Sequence, residues 1–451
     1  MSKTVDIHHM IDNARFNRFH WSVLLWSFLI IIFDVYDLVI YGVVLPVLMD
    51  KWQLTPMQAG SLGSYALFGM MFGALIFGPI SDRIGRKKSI IICLALFSSC
   101  TLINTFTVNP TQFGIARFFA GFGIGGLMPN AVALITEYAP KKIRALLTTI
   151  MFSGYAVGGM ISAGLGIVLL PNFGWQSVFY VGALPLLLIP VIMRYLPDSI
   201  GFLVRSKKNE EVGQILSKID PSFTPSKDDN YYIPEKAPGV SIVKLFKDNR
   251  GVSTAMFWVA FFMCLLMVYG LSSWLPKLMT EAGYPLGSSL SFLLVLNLGA
   301  MFGAIGGGWL GDKFHLKKVS IIYLAMAAIS LSLLGFKSNT FVLYLLLAIA
   351  GATTIGTQIL LYAYVAQFYP MDIRSTGIGW ASGVGRVGGI IGPLMGGALV
   401  GSGLPFQVNF IFFAIPGAIA AIAIGFVSLK YAFKAPTVNA AAEPVATPIT
   451  D

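Results

Sequence analysis

Residues 71–89 read MFGALIFGPISDRIGRKKS, and residues 301–319 read MFGAIGGGWLGDKFHLKKV. The two stretches lie 230 positions apart and match without a gap. The same offset aligns further pairs, namely Leu45-Pro46 with Leu275-Pro276, Pro140 with Pro370, Arg144 with Arg374, and Gly158-Gly159 with Gly388-Gly389. A single register across so much of each half indicates an ancient duplication.

The composition around these stretches is that of a membrane protein. The chain has 451 residues, of which 56% are hydrophobic and 11% are charged, whereas soluble domains carry about 25% charged residues. Apolar runs of spanning length begin near residues 22, 59, 89, 111, 146, 176, 252, 288, 317, 340, 374 and 406. The sequence therefore predicts an all-α membrane protein with twelve transmembrane helices.

The longest polar stretch divides these helices six and six, so both copies of the repeat have the same orientation in the membrane. We expect an N-terminal half over residues 1–196, a cytoplasmic linker over 197–250 and a C-terminal half over 251–433. Residues 220–239 have a loop-like composition. The Ala-, Pro- and Thr-rich residues 434–451 are expected to be a disordered tail.

The basic residues predict the orientation. They are concentrated before the first helix, after the second, fourth and eighth helices, and in the central linker, while the alternate loops carry only Lys51, Lys277 and Lys337. The positive-inside rule then places both termini in the cytoplasm. The net charge of +11 is explained by this topology and does not indicate nucleic-acid binding. We therefore expect the protein to reside in a lipid bilayer and to bind no nucleic acid.

Two carboxylates lie in the middle of the first apolar run, residues 21–46. A carboxylate at the bilayer centre costs about 2.5–3.5 kcal/mol, and the i, i+3 spacing of Asp34 and Asp37 puts both on one helix face. Their counterparts in the second copy are Cys264 and Met267, so the fold does not require carboxylates there. The pair predicts a proton-accessible path through the protein.

Two arginines are predicted to lie at a similar depth. Arg117 opens the fourth-helix motif RFFAGFGIGG, and Arg386 lies in the eleventh helix. A buried arginine needs an anionic partner. We interpret Arg386 as the ligand of a substrate carboxylate and Arg117 as the partner of Asp34 or Asp37. The reverse assignment and a static structural pair remain open.

Polar and aromatic side chains on the membrane helices are candidates for binding the rest of a substrate. Such side chains suit a carboxylate or hydroxyl ligand, although aromatics in membrane helices usually face lipid or neighbouring helices. The candidates are Tyr36, Tyr41, Asn297, Gln358 and Tyr362.

The loop after the second helix, GPISDRIGRKK (78–88), predicts a latch between the halves. Gly85 permits a tight turn, and a carboxylate there can accept from a helix N-terminus or an arginine. The degenerate copy retains Asp312 but has His315 in place of the glycine. The candidate latch residues are Gly78, Asp82, Arg83, Gly85, Arg86, Asp312, Glu137, Arg144 and Arg374. The alternative is that the basic residues only set topology.

Nothing in the sequence predicts an enzyme, a cofactor or a metal centre. There is no phosphate-binding G-x4-GK[ST] motif, and no nucleophile–base pair or metal-ligand cluster is evident. The three cysteines, Cys93, Cys100 and Cys264, lie in apolar segments without metal-ligand spacing. Energy for any transport must then come from an ion gradient, unless transport is passive.

These features resemble a known family. The loop at 78–88 is similar to the signature loop of the major facilitator superfamily, and FDVYDLVIYGVVLP (33–46) resembles the first-helix signature of its aromatic acid:proton symporters. The family's usual Asp-Gly-x-Asp has Val35 in place of the glycine. Residues 12–21 and the run DLVIYGVVLPVLM are most similar to bacterial benzoate transporters.

The resemblance implies uptake of a benzoate-type anion with a proton across the bacterial inner membrane, by a protein we expect to be monomeric. It makes Asp34 and Asp37 the essential first-helix carboxylates, and Asp82 and Gly85 the essential loop residues. Residues 154–164 lack the proline of the exporter motif, which favours uptake. Open alternatives are 4-hydroxybenzoate, protocatechuate, vanillate or muconate as substrate, a proton-antiporting exporter, and a receptor without transport.

Overall fold

The computed structural model describes residues 4–226, 229–232, 242–336, 338–370 and 373–432, without the side chains of Ala145 and Asp312. The predicted tail over 434–451 and the carboxylate of Asp312 therefore lie outside the described part of the chain.

Within the described residues, twelve helices are long and apolar enough to cross a membrane, and the predicted number is confirmed. In chain order they are α1 (Arg18–Trp52), α2 (Pro56–Ile84), α3 (Arg86–Asn104), α4 (Pro110–Tyr138), α5 (Arg144–Phe173), α6 (Gln176–Gly182 and Pro185–Tyr195), α7 (Gly251–Glu281), α8 (Leu286–Phe314), α9 (Leu316–Leu334), α10 (Thr340–Phe368), α11 (Arg374–Gly401) and α12 (Phe406–Phe426).

Local sequence signals explain where several of these helices begin. The side chain of Thr55 accepts from the Gln58 amide at 3.3 Å, and that of Asn109 accepts from the Gln112 amide at 2.9 Å. In both cases a proline follows the cap at the first helical position, where its missing N–H costs nothing.

The turn between α2 and α3 has the left-handed backbone that its glycine predicts, with φ of 95° at Gly85. His315 holds the equivalent position between α8 and α9 and has φ of 70°. The second copy therefore retains the same turn although its residue carries a Cβ, which is an uncommon and strained conformation.

The repeat extends to the packing of the helices. In the N-terminal half a Cβ at Gly121 of α4 would lie 1.9 Å from the Ala66 carbonyl oxygen of α2. In the C-terminal half a Cβ at Gly351 of α10 would lie 1.8 Å from the Leu296 carbonyl oxygen of α8. Both helix pairs touch backbone to backbone at positions related by the 230-residue offset, as small residues allow in membranes.

The two halves meet along three helix pairs: α1 with α7, α2 with α11, and α5 with α8. The Ser64 hydroxyl donates to the Ile390 carbonyl at 2.6 Å, and a Cβ at Gly401 would lie 3.6 Å from the Cβ of Pro56. These contacts lie toward the loops at 53–55 and 402–405, and we call this side of the bundle the closed end.

The opposite side carries a small module formed by the N-terminal segment and the linker. Strand β1 (Thr4–Asp6) pairs in parallel with β2 (Asn230–Tyr232). The Asn17 amide donates to the carbonyls of Lys218 at 2.8 Å and Ile219 at 2.9 Å, at the end of a linker helix, Asn209–Ile219. The described linker thus contains more regular structure than its composition predicts.

Candidate functional site: carboxylates and arginines inside the bundle

A buried ion pair joins three helices of the N-terminal half. Arg117 of α4 donates to Asp37 Oδ2 of α1 at 2.6 Å and to the Asp37 carbonyl at 3.1 Å. The Thr101 hydroxyl of α3 donates to Asp37 Oδ1 at 2.7 Å. The Asp37 side chain is 0% exposed and that of Arg117 is 1% exposed. The contact between Arg117 and a first-helix carboxylate, which depth along the helices predicts, is present.

Asp34 lies one turn before Asp37 on the same helix, and the two carboxyl groups differ in their hydrogen bonds. Its side chain is buried, but Oδ1 has no hydrogen-bond partner among the described residues. It interacts electrostatically with Arg386 of the other half and with Asp37. One helix face therefore carries a fully paired carboxylate and a carboxyl group with a free oxygen.

Arg386 reaches from α11 toward the N-terminal half. Its Nη1 donates to the Met70 carbonyl of α2 at 3.3 Å, so most of its donors are not used by that contact. Two tyrosines share this neighbourhood, Tyr155 of α5 and Tyr269 of α7; both pack against the two hydrophobic cores of the molecule and interact electrostatically with Asp34. This cluster, made of Asp34, Arg386, Tyr155 and Tyr269, is called the central cluster below.

Two further predicted residues lie in the C-terminal half near this depth. The Tyr362 hydroxyl is 2.9 Å from the Ser382 hydroxyl, and the Tyr362 ring packs edge-on against Phe261 with centroids 5.0 Å apart. Tyr362 also interacts electrostatically with Tyr155 and Tyr269. Gln358 lies one turn before it on the same helix.

The structure does not bring the other three predicted substrate residues to the central cluster. The Tyr36 hydroxyl donates to the Val178 carbonyl at 2.8 Å, and the Tyr41 hydroxyl donates to the Ala59 carbonyl, inside the N-terminal half. Asn297 is buried in the seam between α5 and α8, where its Oδ1 occupies the space beside Gly159. Each side chain is committed to helix packing.

The predicted latch residues divide into paired and exposed groups. Arg86 forms an ion pair with Glu137 of α4 at 3.0 Å. The Asp82 and Arg83 side chains are exposed, and the Asp82 carbonyl lies 3.5 Å from Arg205 Nη2. A Cβ on Gly78 would meet no described atom within 4 Å.

The predicted arginines at the starts of α5 and α11 occupy equivalent positions. Arg144 donates from Nε to the Ala139 carbonyl at 3.1 Å, and Arg374 donates from Nε to the Tyr369 carbonyl at 3.4 Å. Arg144 also pairs with Asp12 of the N-terminal segment at 2.5 Å. This arginine pair belongs to the repeat, and only the first copy has gained the extra ion pair in the described residues.

Sequence reasoning did not identify Asp198, although it contacts the turn at Gly85 between α2 and α3, the part of the predicted loop at 78–88 that is not helical. Asp198 Oδ1 accepts from the Lys87 amide at 3.2 Å at the start of α3, and its carbonyl accepts from the Tyr138 hydroxyl. A Cβ at Gly85 would lie 2.7 Å from Asp198 Oδ2. An acidic residue just beyond the sixth helix was the available signal, since α3 begins with unsatisfied amides.

Tyr155, Tyr269 and Thr101 were also not singled out. Each lies in an apolar helix, and a hydroxyl group in such a helix is the signal that could have identified it. The sequence does not reveal which helices are neighbours, and this decides which of the many hydroxyls meet the aspartates.

The comparisons with known proteins agree with this architecture. The family model described as "Major Facilitator Superfamily" matches residues 27–314 and 297–450. The benzoate transport protein of Acinetobacter baylyi is 49% identical over 94% of this chain and 93% of its own length. The 4-hydroxybenzoate transporter PcaK of Pseudomonas putida is 34% identical over 94% of this chain and 96% of its own.

Solved structures share the fold at low identity. A bacterial homologue of the human lysosomal transporter Spinster, inward-facing and occupied, superimposes with a TM-score of 0.72 at 17% identity, covering 93% of this chain and 100% of that one. The partially occluded inward-open xylose transporter XylE of E. coli gives 0.71 at 18% identity, covering 91% and 98%. The predicted fold and the prediction of a transporter rather than an enzyme are confirmed, and the chain belongs to the major facilitator superfamily.

Proposed function

We propose that this protein takes up benzoate, or a closely related aromatic acid anion, together with a proton by alternating access. The similarity to the benzoate transport protein over nearly the whole of both chains supports the substrate class. The observation that carries the proposal is the buried Asp34, whose Oδ1 has no hydrogen-bond partner among the described residues and which interacts electrostatically with Arg386 of the other half.

The two aspartates have different roles in this proposal. Asp37 receives an arginine and a hydroxyl donor, and these stabilise its ionised form. No described residue gives Asp34 Oδ1 such a donor, and a buried carboxyl without donors is more stable when neutral. Asp34 is therefore the group that loads and releases the transported proton, and Asp37 with Arg117 holds the helix face on which Asp34 lies.

Arg386 provides the anion site. A guanidinium group matches a carboxylate in two-pronged geometry, and most Arg386 donors are not used by the Met70 carbonyl. The substrate ring would pack against Phe261 and Tyr362 of the C-terminal half, which already pack edge to face with each other. Proton and anion would then bind on opposite sides of the boundary between the halves, where both can influence their rocking motion.

We place both termini in the cytoplasm of a bacterial inner membrane, because the basic residues favour it. The closed end then faces the periplasm, and the opposite side, which carries the module formed by the N-terminal segment and the linker, faces the cytoplasm. The monomer has two moving halves, 1–196 and 251–433, joined by the linker 197–250. The latch forms when the cytoplasmic side is closed. It consists of the Arg86–Glu137 pair, the Gly85 turn and the exposed Asp82 and Arg83.

Uptake measurements test the proposal. Cells expressing the protein are given radiolabelled benzoate with and without a protonophore, beside cells carrying the empty vector. We expect accumulation above the external concentration that the protonophore abolishes. Accumulation that the protonophore leaves intact would refute proton coupling. Efflux of benzoate from preloaded right-side-out vesicles under an imposed proton gradient would show that the protein is an exporter and not an uptake transporter.

Hydroxylated aromatic acids are the second candidate substrates. The gentisate transporter of Corynebacterium glutamicum is 36% identical over 88% of this chain and 85% of its own length, and the PcaK protein is similar too. One pocket hydroxyl contact decides between such substrates. Unlabelled gentisate or 4-hydroxybenzoate that competes better than benzoate would reassign the substrate without altering the mechanism.

A further inference from the structure

A hydrogen bond between two side chains lies one helical turn from Arg386. The Tyr362 hydroxyl of α10 is 2.9 Å from the Ser382 hydroxyl of α11. Ser382 precedes Arg386 by four residues in the same helix, and residues with this spacing share one helix face. The face of α11 that carries the proposed anion-binding guanidinium group therefore also carries one member of a hydroxyl pair.

A buried aromatic ring from α7 holds the hydroxyl pair in place. Phe261 is fully buried, and the Tyr362 ring packs edge-on against it with centroids 5.0 Å apart. A Cβ at Gly385, the residue before Arg386, would lie 3.2 Å from the Phe261 Cβ, so Phe261 also contacts α11 between the serine and the arginine. Tyr362, Ser382 and Arg386 themselves are each partly exposed, so none of the three is sealed inside the packed bundle.

The spacing along α11 matches the length of an aromatic acid. Four residues of an α-helix rise about 6 Å, which is close to the distance from the carboxylate of a benzoate ion to a substituent at the para position of its ring. A carboxylate held by Arg386, with its ring lying along α11 toward Ser382, brings that para position to the hydroxyl pair. An ortho substituent stays beside Arg386 instead.

The hydroxyl pair is satisfied without a ligand. A site whose polar groups need a substrate hydroxyl rejects an analogue that lacks it, because those groups are then left unpaired. Here one hydroxyl donates to the other, so the bare ring of benzoate leaves this bond intact. A para-hydroxyl group can bind the Tyr362 phenol only by displacing a partner that the protein already holds in position, and the net gain from such an exchange is small.

We propose that Ser382, through its hydrogen bond to Tyr362, is the specificity-determining residue for the para position of the substrate ring. Its hydroxyl takes the place that a para-hydroxyl group would occupy against the Tyr362 phenol, and it thereby favours benzoate over 4-hydroxybenzoate. This inference rests on the proposed function, in which Arg386 binds the substrate carboxylate, and it names the contact that selects among aromatic acids.

The test compares Ser382→Ala with wild type by competition of unlabelled acids against uptake of radiolabelled benzoate. In the variant the Tyr362 hydroxyl loses its partner, and a para-hydroxyl group can replace it. We expect the affinity for 4-hydroxybenzoate relative to benzoate to rise about three- to tenfold. Two other acids should gain less than about twofold: 4-methylbenzoate, which has a similar shape without the hydroxyl, and 2-hydroxybenzoate, whose hydroxyl lies beside the carboxylate.

Three further variants make the comparison specific. Tyr362→Phe keeps the ring but removes the phenol that a para-hydroxyl group would bind, so it should not raise the relative affinity for 4-hydroxybenzoate. Ser332→Ala is the matched control, because the Ser332 hydroxyl donates to the Ala328 carbonyl within α9 at 2.8 Å, and it should keep the wild-type preference. Ser382→Gly removes the same hydroxyl and repeats the test if the alanine variant does not reach the membrane.

The outcomes separate this inference from the proposed function. An unchanged preference in Ser382→Ala, or an equal gain for 4-methylbenzoate, would overturn the inference and leave the proposed function intact. Tighter binding of 4-hydroxybenzoate than of benzoate by wild type would overturn it as well. Failure of wild type to accumulate any of these acids would instead overturn the proposed function.

Discussion

At the scale of single residues, the ion pair between Asp37 and Arg117 is predicted to be a stability element as much as a functional one. Asp37→Asn leaves the Arg117 charge buried without its partner, which costs about 3–5 kcal/mol of unfolding free energy. Thermal unfolding of the purified protein in detergent should show a clearly lower midpoint. The double variant Asp37→Asn, Arg117→Gln removes the unpaired buried charge as well. It should recover much of the lost stability but not uphill uptake.

Asp34→Asn is the companion variant for that measurement. It removes a carboxyl whose Oδ1 has no partner in the part of the chain that the structure describes, so we expect its unfolding free energy to change by less than about 1 kcal/mol. Uphill benzoate accumulation should nevertheless be abolished, because an amide cannot carry the proton. Equal loss of stability in both asparagine variants, or accumulation by Asp34→Asn, would contradict the division of roles.

The turn residue His315 gives a second prediction. Its φ of 70° is unfavourable for a side chain with a Cβ and costs about 1 kcal/mol. His315→Gly should therefore raise the midpoint of thermal unfolding, by relieving this strain. The reciprocal variant, Gly85→His, should lower it, because the new side chain would also meet the Asp198 carboxylate. A lower midpoint for His315→Gly would refute the assignment of strain to this turn.

At the scale of helices, α8 and α10 touch through several glycines, and Gly351 makes the tightest of these contacts. A Cβ at Gly351 would lie 1.8 Å from a backbone oxygen that cannot move aside. We expect Gly351→Ala to force the two helices apart and cost more than about 3 kcal/mol. Gly308→Ala is the control and should fold normally, because no atom of the described ranges lies within 4 Å of a Cβ there. Detergent-solubilised yield and size-exclusion profile report both outcomes.

The helices were predictable from the sequence and their contacts were only partly so. Length and apolarity alone define spans such as α1, and the 230-residue offset predicts that α8 repeats α2. Depth along a helix was sufficient to bring Arg117 to Asp37. Depth could not predict that the hydroxyls of Tyr36 and Tyr41 donate to carbonyls of α6 and α2. Those hydrogen bonds depend on which faces the neighbouring helices turn toward α1.

At the scale of the whole molecule, a disulfide across the closed end should arrest the transporter. The 3.6 Å between the Pro56 Cβ and a Cβ at Gly401 suits a disulfide, whose Cβ atoms are about 3.5–4.5 Å apart. Oxidation of the double variant Pro56→Cys, Gly401→Cys should therefore stop uptake, and a reducing agent should restore it. The single-cysteine variants are the controls, and undiminished uptake by the cross-linked protein would show that this end does not open.

The pairing of β1 with β2 has a consequence for how the protein is made. Residues 4–6 are synthesised well before their partners Asn230–Tyr232, which follow only after the first six membrane helices. At bacterial elongation speeds the delay is roughly 10–45 s. During this interval the N-terminal segment has no strand to join, so a protease should cut it on ribosome-bound chains that stop short of residue 230. Once the strand has formed, the same segment should resist, and this resistance would mark the moment when the first half of the transporter is complete.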